Sequence, residues 1–449
     1  MSDSPTTRSH IGIAGAGLLG RLLAWQLSRA GHRVSVFDTA ASELPIARSQ
    51  APDPCVPTAA AFTAAGMLSP LSELDNAEPA VAALGWRSLA LWPRIAAALP
   101  GAPSVTVTGS LLVAHRADLG AAQRVLDRLR TATASPDWRR LSPPEGAQPL
   151  DAAALRALEP AIQGPSHAWL LPGEGFIDTV AIMAALYSGA AGADWHWGQR
   201  VMAVEAGEGG GTLRLANGRV LAFDAVMDVR GAGAKVGISP SPLWGEGRGE
   251  GLAAVERGAA GVTPTSTPHQ RGSERPYPNP LPPAGEAVKV RGVRGEVIWL
   301  DCPGHGLTRP VRLLHPRHRV YIVPRSARDV LVGASEIESE DRSPVSLRSA
   351  TELMAAAHSV VPALAEARIL KLDVNLRPAL PDNNPLVQWQ GRKLTINGLF
   401  RHGWLLAPAL IEQAMAADGA RAAGLQGPSP DQDAINLIAA SALLARTSA

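Results

Sequence analysis

A chain of 449 residues, 46% of them hydrophobic, can bury more than one core, so two domains or one large α/β unit with a second lobe are expected. Lys and Arg total 42 against 40 Asp and Glu, and this net charge of +2 gives no electrostatic reason for nucleic acid or an anionic membrane as partner. The only two cysteines, Cys55 and Cys302, stand far apart in no metal-ligand spacing, which argues against a disulfide or zinc scaffold, predicts no metal site and favours a reducing compartment.

In chain order, the polar start MSDSPTTRSH and the lack of any uninterrupted apolar segment of roughly 18 residues predict no secretory signal and no membrane span, hence a cytoplasmic protein. Residues 10–38 read as strand, tight turn, helix and strand: HIGIAGAG, then LLGRLLAWQLSRAGH with Gly31 as its stop, then RVSVFD. Helices are predicted over 82–99 and 121–131, with VTVTGSLLVA as one strand between them. DTVAIMAALYSGAA reads as a helix, and GTLRLANGRVLAFDAVMDVRGAG as a hairpin turning at Asn217-Gly218 into a buried strand. Residues 236–290 are rich in Pro, Gly, Ser and charge without apolar periodicity, and are expected to be a disordered insertion whose flanks would pair if joined. Beyond it, VYIVP and DVLVGASE read as paired strands, 346–360 as a helix, KLTINGLF as a strand and GWLLAPALIEQAMAADG as a final helix.

The chemistry begins at IGIAGAGLLG, residues 11–20. A glycine pattern alone is weak, but this one follows a strand, opens a helix and precedes Asp38 at the end of the next strand. Gly15 permits the turn, Gly17 lets the backbone approach a pyrophosphate, and Gly20 lets helix and strand pack closely. The amides of Leu18 and Leu19 belong to the helix start that would face the phosphates, and Asp38 can accept hydrogen bonds from a ribose. This points to a dinucleotide without saying which. In AAFTAAGMLSPLSE (60–73) the small residues Ala64, Ala65 and Gly66 precede Met67 and could pass close to a flat ring system.

Together with NLRPALPDNNP (375–385), NGLFRHGWLLAPAL (397–410) and EGFIDTVAIMAAL, these stretches resemble the FAD-dependent D-amino-acid oxidase superfamily, and within it the glycine oxidases of thiamine biosynthesis. The resemblance covers most of 10–235 and 291–425. It implies an α/β fold: a glutathione-reductase-type, Rossmann-like FAD domain (1–85, 158–235, 370–449) and an α+β substrate domain on an antiparallel sheet (86–157, 291–369). It places the cofactor on Gly15, Gly17, Leu18, Leu19, Gly20, Asp38, Ala64, Ala65, Gly66 and Met67, on the backbone of Val201, and on Arg401, His402, Gly403, Trp404 and Leu405. The substrate carboxylate falls to Arg377, assisted by Tyr321, with Arg401 close to both flavin and substrate. His402 is read as a supporting histidine rather than a base, and Arg291, Arg294 and Arg325 as surface or interdomain charges.

The implied activity is oxidation of glycine or a similar small amino acid by hydride transfer to non-covalent FAD, with O2 as acceptor and an imine and H2O2 as products. A D-amino-acid dehydrogenase, a sarcosine or secondary-amine oxidase, and a flavin-binding protein without turnover stay open, as does a homo-oligomer. Three departures from the family pattern bear on the substrate more than on the cofactor. Glu336 stands where some glycine oxidases carry methionine, the turn reads Leu399-Phe400-Arg401-His402-Gly403, and VRGAGAK leads into the insertion. Asn375, near the place where sarcosine-oxidase relatives carry a flavin-linked cysteine, argues against covalent attachment.

Overall fold

The computed structural model describes residues 8–44, 58–77, 79–134, 146–207, 209–234, 289–315, 319–417, 420 and 425. A six-stranded sheet is centred on His10–Ala14, parallel to Arg33–Phe37 on one side and to Ala225–Asp228 on the other. Ala193–His196 extends the first side and Lys393–Asn397 the second, both parallel, and Leu386–Gln390 closes the edge antiparallel.

Parallel strands need cover on both faces, and the alternation of apolar residues shows how it is supplied. Ile11, Ile13, Val34, Val36 and Met227 point into a core with the helices Leu18–Arg29 and Gly403–Ala416. Ala14, Phe37 and Val226 point the other way, against the three-stranded meander Val201–Ala206, Gly211–Leu215 and Val220–Phe223. Each fully buried aliphatic side chain there contributes roughly 1.5–3 kcal/mol. The predicted hairpin is present, with Gly218 at φ +84° and the Asn217 side chain accepting from the Arg219 amide at 3.1 Å.

The second sheet has eight strands in the order Arg368–Ala379, Arg291–Asp301, Asp329–Gly333, Arg319–Pro324, Val311–Leu314, Ser110–Ala114, His167–Leu171 and Gln148–Leu150. It is antiparallel as expected except where Val311–Leu314 runs parallel to Ser110–Ala114. Helix Leu347–Val360, capped by the Ser346 hydroxyl, covers one face. The other face carries Val297, Trp299, Val323 and Leu331 and meets Ala65, Met67 and Phe176. This contact brings the small-residue stretch onto the sheet that holds Tyr321.

Several expectations change. VTVTGSLLVA is two strands in different sheets, Val105–Thr106 and Ser110–Ala114, because Gly109 at φ +81° breaks the run. His167–Leu171 and most of Arg368–Ala379, in the stretches assigned to the dinucleotide half, pair into the eight-stranded sheet. The insertion's two flanks lie in different sheets and do not pair; its residues 236–288 lie outside the described residues. Among the described residues no helix is long and apolar enough to cross a membrane.

Candidate active site

The glycine turn explains two of its glycines from within the protein and one from outside it. Gly15 sits at φ +107°, donates to the Phe37 carbonyl at 2.8 Å, and a Cβ there would lie 2.7 Å from the Val229 carbonyl oxygen. A Cβ on Gly20 would overlap the Gly15 carbonyl oxygen. Gly17 differs: the nearest atom to a Cβ would be that of Ala59, at 3.8 Å. Gly17 is also the N-cap of helix Leu18–Arg29, with no side-chain cap and no acidic residue in the first turn. The first-turn amides therefore face space that a side chain would fill, which suits a phosphate group.

Asp38, expected at a ribose, has a second task. Its Oδ2 accepts from the Ala16 amide at 2.6 Å and its Oδ1 from the Ala40 amide at 2.8 Å, tying the glycine turn to the loop after the second strand. Below the turn lies Arg21, only 1% exposed, which the sequence reading did not single out. Its Nε donates to the Ala16 carbonyl at 2.9 Å and its Nη1 to the Met183 carbonyl at 2.8 Å, and it also bonds the Glu43 carbonyl. The rings of Phe62, Tyr187, Trp195 and Trp197 surround it at 5.4–6.0 Å. Burial pushes its pKa down to about 10, still charged at neutral pH. The Val201 carbonyl, expected on the adenine side, accepts from Arg230 Nη1 at 2.8 Å.

The stretch 64–67 is clamped by Arg325. Gly66 takes φ +72°, where a Cβ would overlap the Ile177 carbonyl oxygen, and Met67 pairs with Phe176. Arg325 Nη1 donates to the carbonyls of Ala65 and Ile177, both at 2.8 Å, and Nη2 to Thr179 Oγ1 at 3.0 Å and Asp178 Oδ1 at 3.2 Å. Its side chain is 3% exposed, so of the two expected places, surface or between domains, it takes the second: the guanidinium replaces water on the carbonyls of the small-residue stretch and its neighbour. Arg294 is likewise buried, forking onto Glu296 Oε1 at 2.6 and 3.0 Å, whereas Arg291 is a partly exposed partner of Glu338.

Charge converges on Glu73, which the sequence reading passed over. Its Oε2 accepts from Arg401 Nη2 at 2.6 Å and Nε at 3.1 Å and meets His402 Nε2 at 2.9 Å, and its Oε1 accepts from Arg312 Nη2 at 3.1 Å. Burial alone would raise this carboxyl, but Arg401, Arg312 and His402 outweigh it and hold the pKa well below the usual range. Arg401 Nη1 donates to Glu336 Oε2 at 3.2 Å, so all three guanidinium nitrogens of Arg401 face carboxylates. Arg401 therefore stands in the cluster as an ion-paired guanidinium held by Glu73 and Glu336. Phe400, at φ +49°, donates its amide to the Pro378 carbonyl at 2.8 Å and fastens this turn to the strand of Arg377.

His402 is the N-cap of helix Gly403–Ala416, again without a side-chain cap, and a Cβ on Gly403 would meet nothing within 4 Å. His402 Nδ1 is buried without a partner among the described residues. Trp404 and Leu405 turn their side chains inward: Trp404 Nε1 donates to the Ala61 carbonyl at 3.1 Å, and Leu405 packs on Gly85. What these residues offer a cofactor is therefore helix-terminal backbone, not side chain.

Arg377 and Tyr321 both rest on glycines. A Cβ on Gly295 would lie 2.5 Å from the Arg377 guanidinium, and one on Gly333 would lie 2.7 Å from the Tyr321 hydroxyl. Register does this: Val293 pairs with Arg377, and Gly333 with both Val297 and Tyr321. Arg377 Nη1 donates to the carbonyls of Ser335 at 3.1 Å and Arg294 at 3.2 Å, and among the described residues it has no carboxylate ion pair. Tyr321 lies among Arg377, Arg312, Arg401 and Glu73; burial raises its pKa, the arginines pulling the other way, and burial lowers that of Arg377. The three expected catalytic residues are thus brought together, with Glu73, Arg312 and Glu336 added. Asn375 donates to Thr58 and Thr63 at 3.1–3.3 Å, beside the small-residue stretch.

Known proteins share this arrangement of sequence. The family profile described as FAD dependent oxidoreductase (DAO) matches residues 10–285 and 276–416. The thiamine biosynthesis oxidoreductase ThiO assigned in Rhizobium etli is 33% identical over 399 residues, 89% of this chain and 93% of that protein. A glycine oxidase of Geobacillus kaustophilus is 24% identical over 90% of this chain and 91% of its own length. Among solved structures, a glycine oxidase from Geobacillus kaustophilus superposes with a TM-score of 0.67 at 21% identity, covering 95% of this chain and 98% of its own. Iminodiacetate oxidase from Chelativorans sp. BNC1 gives 0.64 at 19% identity, covering 94% and 97%. At such identities the structures speak for the fold.

Proposed function

Because the chain belongs to the DAO family of FAD-dependent oxidoreductases, we propose that it oxidises glycine or a similarly small amino acid at its C–N bond, non-covalent FAD taking the hydride and O2 serving as final acceptor. The observation that carries this reading is Arg377, a guanidinium laid on Gly295 without a carboxylate ion pair among the described residues, beside the Tyr321 hydroxyl. A planar fork of this kind receives a substrate carboxylate through two charge-assisted bonds, and Tyr321, kept protonated by its raised pKa, donates a third.

Glu73 fixes the Arg401 guanidinium and the His402 ring in place at the head of the last helix. That helix start would face the flavin ring, the start at Gly17 would hold the pyrophosphate, and Ala64–Met67 would let the ring pass closely. An amine that arrives neutral needs no protein base, so the protein's work is positioning and electrostatics. The balance is glycine, O2 and water giving glyoxylate, ammonia and H2O2, by way of an imine that water hydrolyses. The name of the Rhizobium etli relative supports a place in thiamine biosynthesis, and the low cysteine count suits a reducing, cytoplasmic setting.

The test is a product assay on the purified protein in air. Glyoxylate and peroxide in equal amounts from glycine support the reading. Product from sarcosine, proline or D-alanine alone moves the chain to a secondary-amine oxidase or D-amino-acid dehydrogenase, and bound flavin without product from any amine leaves a flavin protein without turnover.

A further inference from the structure

One carboxylate links the two arginines of the site. Ser335 gives its carbonyl to Arg377 Nη1 at 3.1 Å, and the next residue, Glu336, gives Oε2 to Arg401 Nη1 at 3.2 Å. The segment is held on both sides: the Ser335 amide donates to the Glu296 carbonyl at 3.3 Å, and Ile337 exchanges two backbone bonds with Arg294 at 2.9 and 3.0 Å. Glu336 thus has little freedom to leave, yet its side chain is 45% exposed, at the rim of the cluster.

The charges around it are uneven in a way that bears on substrate choice. Arg401 and Arg312 are matched by Glu73, and the last nitrogen of Arg401 by Glu336, which leaves Arg377 as the one guanidinium of the cluster without a carboxylate ion pair among the described residues, Glu336 acting on it only at longer range. A substrate with one carboxylate completes that balance. A second carboxylate would meet Glu336 in place of a free donor.

We propose that Glu336 is a specificity-determining residue that restricts the site to amino acids carrying a single carboxylate, a proposal that rests on the oxidase reading above. Its negative charge repels a second carboxylate and occupies the Arg401 nitrogen that could have bound it. Neutralising Glu336 removes the repulsion and frees a charged donor, a change that corresponds to roughly tenfold to hundredfold in favour of a dicarboxylate.

The test compares sarcosine with iminodiacetate, which differ by one carboxylate, using the FAD-loaded protein, Glu336→Gln and Glu336→Ala. Oxygen uptake gives kcat/KM for each amine, and calorimetry gives Kd for acetate and malonate. The ratios of iminodiacetate to sarcosine in kcat/KM, and of malonate to acetate in affinity, rise at least about tenfold in both variants. Ratios within about twofold of the unsubstituted protein, with the amines still oxidised, overturn the role of Glu336 and leave the oxidase reading intact. If no form oxidises any amine, the oxidase reading falls, and the malonate-to-acetate ratio alone decides whether Glu336 discriminates one carboxylate from two.

Discussion

Glu73 gathers Arg401, Arg312 and His402 onto one buried carboxylate, and no local pattern in the sequence announces it, because its partners lie more than two hundred positions away. Such a group is costly to remove, since the Arg401 and Arg312 guanidinium groups left behind are largely buried. Glu73→Gln is expected to lower unfolding free energy by about 3–5 kcal/mol, read from the denaturant midpoint at unchanged slope; a loss below about 1 kcal/mol would mean that the cations find other partners. Arg377 sits at the opposite extreme: among the described residues it has no carboxylate ion pair and rests on the Ser335 and Arg294 carbonyls beside the Tyr321 hydroxyl. Arg377→Ala is expected to lower kcat/KM about tenfold to hundredfold while leaving the flavin bound, and unchanged kinetics would remove it from the site. Arg377 was legible from RPALPD through family likeness, whereas the burial of Arg325 and Arg294 was not. A charge that ends on a distant carbonyl looks, in sequence, like any surface arginine.

At the scale of elements, the strand–turn–helix unit was readable because its determinants are consecutive. Its two kinds of glycine separate in experiment. Gly17→Val has room within the protein and is expected to keep the fold while abolishing FAD retention, whereas Gly20→Val drives a side chain into the Gly15 carbonyl and is expected to prevent folding. A yellow, fully loaded Gly17→Val protein would contradict the phosphate cradle. A second joint connects three elements through Glu174, fully buried, which accepts from Ser110 Oγ at 2.5 Å and the Ser72 amide at 2.9 Å. Burial pushes its pKa up to about 7, the hydrogen bonds from Ser110 and Ser72 opposing. In the unfolded chain this carboxyl ionises near its ordinary value of 4.5, so between there and pH 7 the folded state binds more protons. Its contribution is therefore full below the unfolded pKa and lost as pH rises through the folded one, a decline on the order of 3 kcal/mol. Glu174→Gln is expected to flatten that part of the stability profile, measured as Tm from pH 4.5 to 7.5; a profile that declines unchanged would assign it to other groups.

In the whole molecule, two sheets meet where Ala65 and Met67 touch the face carrying Val297, Val323 and Tyr321, and the last helix arrives with Arg401 and His402. The inner strands of the six-stranded sheet were legible from their apolar runs, whereas its edge strands Ala193–His196 and Leu386–Gln390, only partly buried, were not. The eight-stranded sheet was only partly so: Gly109 divides one apparent strand between two sheets, and Arg368–Ala379 joins Arg291–Asp301 through long-range pairing that no local period reveals. The central claim is that this meeting place holds FAD and a small amino acid together, and the visible spectrum of the purified protein under anaerobic conditions tests it most directly. The expected result is a flavin band that bleaches on adding excess glycine or a similarly small amino acid and returns when air is admitted. A flavin band that no small amino acid bleaches, in folded protein, would contradict it.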